Sequence, residues 1–222
     1  MVNKSKTAEE VNKAYDSPSW FYDLRGLFIL TFAYQATLWN QISFFSKNIK
    51  GIHLEAAIGS GSLLYVILKW LKLKNVKYDV IYGFDYAESM LAGAKKRFKR
   101  DPNIILEKED AASLPYENNF FDSVSIANSV HCFPEVEKSL AELVRVTKPK
   151  GTIFLNVLLY PKTKGFLDKI SNKINNWAIK KGILITPFTE KKINALIDNL
   201  NVSVISKDIE GNSMNISLIK ED

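Results

Sequence analysis

From Ile52 to Tyr160 the chain repeats one pattern: a short, continuously apolar run, then a stretch with helical spacing. The runs are "IHLEAA", "DVIYGF", "NIILEKED", "FFDSVSIAN" and "GTIFLNVLLY". Runs apolar on both sides suit strands covered on both faces, and strands alternating with helices of about 10–15 residues build parallel βαβ units. The helical stretches are Ser62 to Leu73, Glu88 to Arg100 and Pro134 to Thr147. Before the first run, residues 8–15 and 18–46 read as two helices, with Pro18 suited to a first turn. After the fifth run come two more helices, at about 164–182 and in "FTEKKINALIDNL". Two alternating runs around Gly211-Asn212 then signal an antiparallel hairpin. The expectation is a seven-stranded, mostly parallel α/β sheet closed by that hairpin.

Composition removes several classes. The 222 residues, 46% hydrophobic and 24% charged, suit one α/β domain with a full core. The net charge is +6, but only Arg25, Arg97, Arg100 and Arg145 among the 30 basic residues are Arg. That argues against nucleic acid as partner, since Arg forks dominate its recognition. The lone Cys132 cannot form an intrachain disulfide, which fits a reducing, cytoplasmic compartment. "MVNKSKTAEE" has no apolar signal region, and polar residues interrupt the apolar window Gly26 to Phe45, against a membrane span. No Cys/His pair stands at metal-ligand spacing, and Glu107, Glu109 and Asp110 form a short acidic run rather than a cage, so no metal is expected.

The first run stops at Gly59-Ser60-Gly61 before a helix. Either a tight turn or close approach of a ligand would require such glycines. Ser62-Leu63 excludes the Gly-Lys-Ser/Thr ending of a P-loop. Leu64 stands where a dinucleotide would want a third glycine. An adenosine carrying an amino acid, as in S-adenosylmethionine, needs no pyrophosphate cradle. Asp85, before Tyr86, closes the second strand, where a carboxylate can accept from ribose hydroxyls or cap the next helix. Asp110 closes the third; it can accept from an adenine amino group, with the Ala111 N–H serving a ring nitrogen.

The segments "HLEAAIGSGS", "VIYGFDYAESMLAGAKKRF", "EDAASLPYENNFFDSVSIANSVHCF" and "LAELVRVTKPKGTIFLN" together resemble class I S-adenosylmethionine-dependent methyltransferases, most closely the ubiquinone and menaquinone C-methyltransferase branch. The resemblance covers about residues 50–160. It implies a Rossmann-like fold, S-adenosylmethionine as cofactor, and methyl transfer to a small-molecule acceptor. It also implies that Glu55 is the acid of the first motif and that Gly59 and Gly61 are its last two glycines. Ala57 replaces the first glycine, and Pro149-Lys150-Gly151 replaces a Pro-Gly-Gly. Two other readings stay open: a NAD-dependent oxidoreductase, and a domain that binds the cofactor without turnover.

Around the expected cofactor, Asn128 and Ser129 border the methionine moiety. Phe133 faces the acceptor, and His131 has the pKa range of a base. His53 reads as a satisfied core residue. The resemblance makes residues 1–48 a helical lid over a domain spanning 49–222, with Tyr15 and Tyr22 as contacts to cofactor or acceptor. The inserted segment 161–187 is a second lid. Its Lys162, Lys164, Lys169, Lys173, Lys180 and Lys181 read as a solvated face, with peripheral contact to lipid headgroups or an acidic acceptor as the other reading. Oligomeric state is not readable.

Overall fold

A computed structural model describes residues 19–162, 165–181, 184–185 and 187–222. The expected helix at 8–15 and the Pro18 turn lie outside the described residues. The elements run α1 (Ser19–Phe32), α2 (Leu38–Phe45), β1 (Ile52–Ala56), α3 (Ser62–Leu73), β2 (Val80–Phe84), α4 (Glu88–Arg97) and β3 (Ile104–Glu107). Then come β4 (Phe121–Ile126), a short 3-10 turn (Val130–Cys132), α5 (Val136–Val146), β5 (Thr147–Leu158), α6 (Phe166–Lys181), α7 (Glu190–Asp198), β6 (Val202–Glu210) and β7 (Ser213–Lys220).

The strands form one seven-stranded sheet in the order β3-β2-β1-β4-β5-β7-β6. β1 to β5 pair in parallel, while β7 runs antiparallel between β5 and β6. The apolar runs are therefore central strands, as their two-sided hydrophobicity required. The strand order reverses between β1 and β4, which opens a crevice at their carboxyl ends. One large core packs Leu54, Phe121, Val124, Ile126, Leu143, Ile153 and Leu155 between the sheet and α5 and α7. A second, on the opposite face, joins Ile42 and Phe45 of α2 to Leu64, Ile67 and Leu71 of α3. α2 thus belongs to the body of the fold.

Residues 18–46 are not one helix. α1 ends at Phe32, and Gln35 adopts a left-handed φ of +53°. Thr37 then caps α2, its side chain accepting from the Asn40 N–H at 3.2 Å. The elbow is pinned from outside. Asn212, in the β6–β7 turn, donates its backbone N–H to Tyr34 O at 2.7 Å and its side-chain N–H to Ala33 O at 2.9 Å. Gln35 Nε2 donates to Asp168 Oδ1 on α6 at 2.6 Å.

Candidate active site

The loop after β1 carries three consecutive left-handed positions at every second residue: Ala57 at φ +52°, Gly59 at +61° and Gly61 at +73°. The two glycines have different reasons. A Cβ on Gly59 would meet nothing within 4 Å, because that backbone faces open cavity. A Cβ on Gly61 would lie 2.5 Å from Phe98 Cε2, so this glycine lets the start of α3 pack on α4. Ala57 holds a conformation that glycine adopts freely and alanine adopts at a cost of roughly 1–2 kcal/mol. The position is a glycine position by backbone geometry, occupied by alanine.

Asp85 follows β2 and braces this loop. Its Oδ2 accepts the Gly59 N–H at 2.7 Å and its Oδ1 accepts the Ala87 N–H at 2.8 Å. Burial raises its pKa to about 6 despite those stabilising hydrogen bonds. Of the two sequence readings of Asp85, the capping one holds, since it accepts the Ala87 N–H at the start of α4; the side chain also borders the cavity. Asp110 also borders it, with Oδ1 accepting from the Ala112 N–H at 2.9 Å, and Tyr86 and Ala111 lie alongside. Glu55, at the end of β1, is buried on the cavity wall, and its pKa is raised by burial against the partial relief of His53, whose Nε2 is 3.4 Å away. His53 itself is fully buried, with Nδ1 2.7 Å from Ser123 Oγ: a satisfied core residue.

Asn128 also takes a left-handed φ of +56° and is held by a polar net. Its N–H donates to Asn156 Oδ1 at 2.6 Å, its Oδ1 accepts from Gln41 Nε2 at 2.8 Å, and its Nδ2 returns a bond to Gln41 Oε1 at 3.0 Å. Ser129 Oγ donates to Ala127 O at 2.8 Å. His131 and Phe133 border the same cavity. The His131 ring sits 2.9 Å, through Nε2, from the Tyr34 hydroxyl. Burial lowers its pKa to about 4 and raises that of Tyr34. A neutral imidazole with so low a pKa is a poor base near neutrality, so the ring's evident part is to hold Tyr34. Tyr15 lies outside the described residues, as does the side chain of Tyr22.

Several cavity residues escaped the sequence reading. Tyr34 and Gln41 are among them. Asp23 of α1 is another, accepting from Ser60 Oγ and from Arg97 Nη2 at 2.6 Å. Arg97 also donates through Nε to Ser60 O at 3.0 Å, so one guanidinium ties α1, the glycine loop and α4 together. The cavity measures about 740 Å³, within the ~300–1,000 Å³ of ligand sites. Strand-end acids and the open glycine backbone line one side. Leu30, Leu158, Ala178 and Leu184, brought there by α1, β5 and the α6 segment, line the other with Phe133, which follows the 3-10 turn.

A family model described as a methyltransferase domain matches residues 54–155, the stretch that supplies the glycine loop and both strand-end acids. Over residues 54–155 the chain is similar to methyltransferase domains. Among curated proteins, the chain is 33% identical over 117 residues to the demethylmenaquinone methyltransferase of Thermotoga maritima, covering 53% of this chain and 48% of that one. It is 33% identical over 89 residues to the Desulfitobacterium hafniense enzyme of the same name, covering 39% of this chain and 35% of the relative. The chain thus spans between a third and half of the length of these two relatives. Among solved structures, a methyltransferase in complex with the Trm112 activator of Haloferax volcanii covers 96% of this chain and is itself 98% covered, with a TM-score of 0.69 at 13% identity. The [4+2]-cyclase SpnF superposes almost as well: 84% of this chain and 82% of that one, TM-score 0.65, 14% identity. These likenesses show the fold.

The cofactor that goes with such a domain is S-adenosylmethionine. The residues fit it. A glycine backbone open to the cavity would admit the amino-acid end, and two carboxylates border it. Asp85 stands directly after β2, and Asp110 three residues past β3, which ends at Glu107 and not at Asp110 as the sequence suggested. Leu64, where a dinucleotide fold wants its third glycine, is buried in the core at 1% exposure, which removes support for a nicotinamide cofactor. Among the described residues no group of His, Cys, Asp and Glu is arranged to hold a metal ion, and no helix is long and apolar enough to cross a membrane.

Proposed function

We propose that this protein transfers a methyl group from S-adenosylmethionine to a small, largely apolar acceptor. The observation that carries this reading is one continuous cavity, polar with strand-end acids on one side and apolar on the other. Bound there, S-adenosylmethionine supplies a methyl on a sulfonium, a carbon already activated for in-line displacement. The chain's task is then alignment and exclusion of water. Asp85 accepts from the ribose hydroxyls, Asp110 and the Ala111 N–H receive the adenine edge, and the Gly59 and Asn128 backbones border the methionine end. α1 and α6 roof the acceptor side as lids. Tyr34, its hydroxyl paired with His131, borders the acceptor side. The names of the curated relatives support a quinone-like acceptor, which the apolar wall suits. Lone Cys132 goes with a reducing, cytoplasmic setting.

Calorimetric titration with S-adenosylhomocysteine, followed by turnover of methyl-labelled S-adenosylmethionine on an apolar acceptor panel, tests the reading. Binding with label transfer is expected. Absence of affinity for either form of the cofactor would overturn it, and tight binding without transfer to any acceptor would favour a non-catalytic cofactor-binding domain.

A further inference from the structure

α6 turns an unusual face inward. Asp168, Ser171, Asn175 and Ala178 are its buried positions, while Phe166, Leu167 and Trp177 are exposed. Polar groups on the inner side of a helix need partners. Asp168 accepts from Gln35, and Ser171 Oγ donates to Ala33 O at 2.9 Å while lying 3.2 Å from Asn212 Nδ2. Asn175 differs. It is 4% exposed and borders the cavity, yet its Nδ2 has no hydrogen-bond partner. The other such side-chain atom among the described residues, Asn215 Oδ1, belongs to a residue away from the cavity lining.

An unpaired buried amide costs stability that an apolar residue of similar size would not. Its surroundings offer a water little. Its helix neighbours Ile174 and Ala178 pack in one apolar cluster with Leu30, Leu158 and Leu184, which line the same cavity, and the polar pair Tyr34 and His131 there is bonded to itself. A trapped water wants two to four polar partners. A buried, unpaired amide at an apolar cavity wall instead suits a ligand that carries one polar atom on an apolar body.

We propose that Asn175 is a specificity-determining residue: its amide N–H binds a carbonyl or phenolate oxygen of an otherwise apolar acceptor. This rests on the reading that the apolar side of the cavity receives the acceptor. The bond fixes which edge of the acceptor faces the methionine end, and discriminates against hydrocarbons of the same shape, which would leave the amide unpaired.

The test uses a matched pair of probes, 1-tetralone and tetralin, which share a bicyclic skeleton and differ by the carbonyl. Their dissociation constants are measured on the full chain, with and without saturating S-adenosylhomocysteine, for the wild type, Asn175→Leu and Asn175→Ala. The wild type is expected to prefer the ketone by about tenfold, the ratio that one good hydrogen bond provides. Both variants should bind the two probes about equally, with unchanged affinity for S-adenosylhomocysteine. Asn175→Leu should also melt at the same temperature as the wild type or above it. Equal binding of the probes by the wild type, binding of neither, a ketone preference that survives in the variants, or a marked loss of thermal stability in Asn175→Leu each overturns the assignment. Loss of the cofactor reading would show separately, as no affinity for S-adenosylhomocysteine in the wild type.

Discussion

Replacing Asp85 by Asn should change how stability depends on pH more than it changes stability at any one pH. The carboxyl titrates at about 6 in the folded protein, against 3.8 for the free side chain, because burial disfavours its charge. A folded-state value above the unfolded one means that the native state holds the proton more tightly. The group's contribution is therefore most favourable below about pH 4, and it is lost as pH rises through about 6. The difference of about two pH units, at about 1.4 kcal/mol each, amounts to about 3 kcal/mol. Asn cannot titrate. The new amide will also lose one of the two backbone bonds from Gly59 and Ala87, but that offset is nearly constant with pH. Urea unfolding of both proteins at intervals from pH 4 to 7.5 isolates the effect. The wild-type value minus the variant value should fall by about 3 kcal/mol across that window. A flat difference would refute the reasoning. The same ionisation should govern ligand binding: if the carboxylate must be charged to accept ribose hydroxyls, wild-type affinity for S-adenosylhomocysteine should rise about tenfold from pH 5 to 7, the ratio of deprotonated fractions.

The two glycines of the loop should separate. Gly61→Ala forces a Cβ against Phe98 at a left-handed position, and should cost about 2–4 kcal/mol in chemical denaturation. Gly59→Ala should cost only the backbone term, about 1 kcal/mol, yet weaken cofactor binding at least as much as the other change, because its methyl points into the open cavity. Ala57→Gly relieves a φ of +52° while loosening the unfolded chain, so unfolding free energy should stay within about 1 kcal/mol of wild type. A loss of several kcal/mol on that change would show that the alanine methyl packs.

What the sequence made legible was whatever rests on local period. The strands and the closing hairpin follow from runs of two-sided or alternating hydrophobicity, and Asp85 and Asp110 follow from their places just past strand ends. The elbow at Gln35 did not show, because an apolar window masked it. Thr37, a cap residue two positions before Trp39, was the available signal. Tyr34 and Asp23 were invisible for a different reason. They meet His131 and Arg97 across 97 and 74 residues, and no spacing rule reaches that far. His131 was read as a base from its ordinary pKa range. Burial, which depends on the packed fold, moves it out of that range. Asn175 had the look of one more polar residue in a Lys- and Asn-rich helix, and only its burial against the cavity sets it apart.

The hydrogen bonds from Asn212 to the elbow reach back as far as 179 residues. Loop closure on that scale is slow, and contacts of such separation form late. The glycine loop and Asp85 come from β1, β2 and their turns, all synthesised within the first half of the chain. The position of Tyr34 depends on a turn that leaves the ribosome after β6. During synthesis the nucleoside half of the cavity can therefore assemble before its partner half. On that order the chamber closes only when the last strands have joined the sheet, an order that pulse-labelled hydrogen exchange during refolding would read as late protection of the Asn212 N–H.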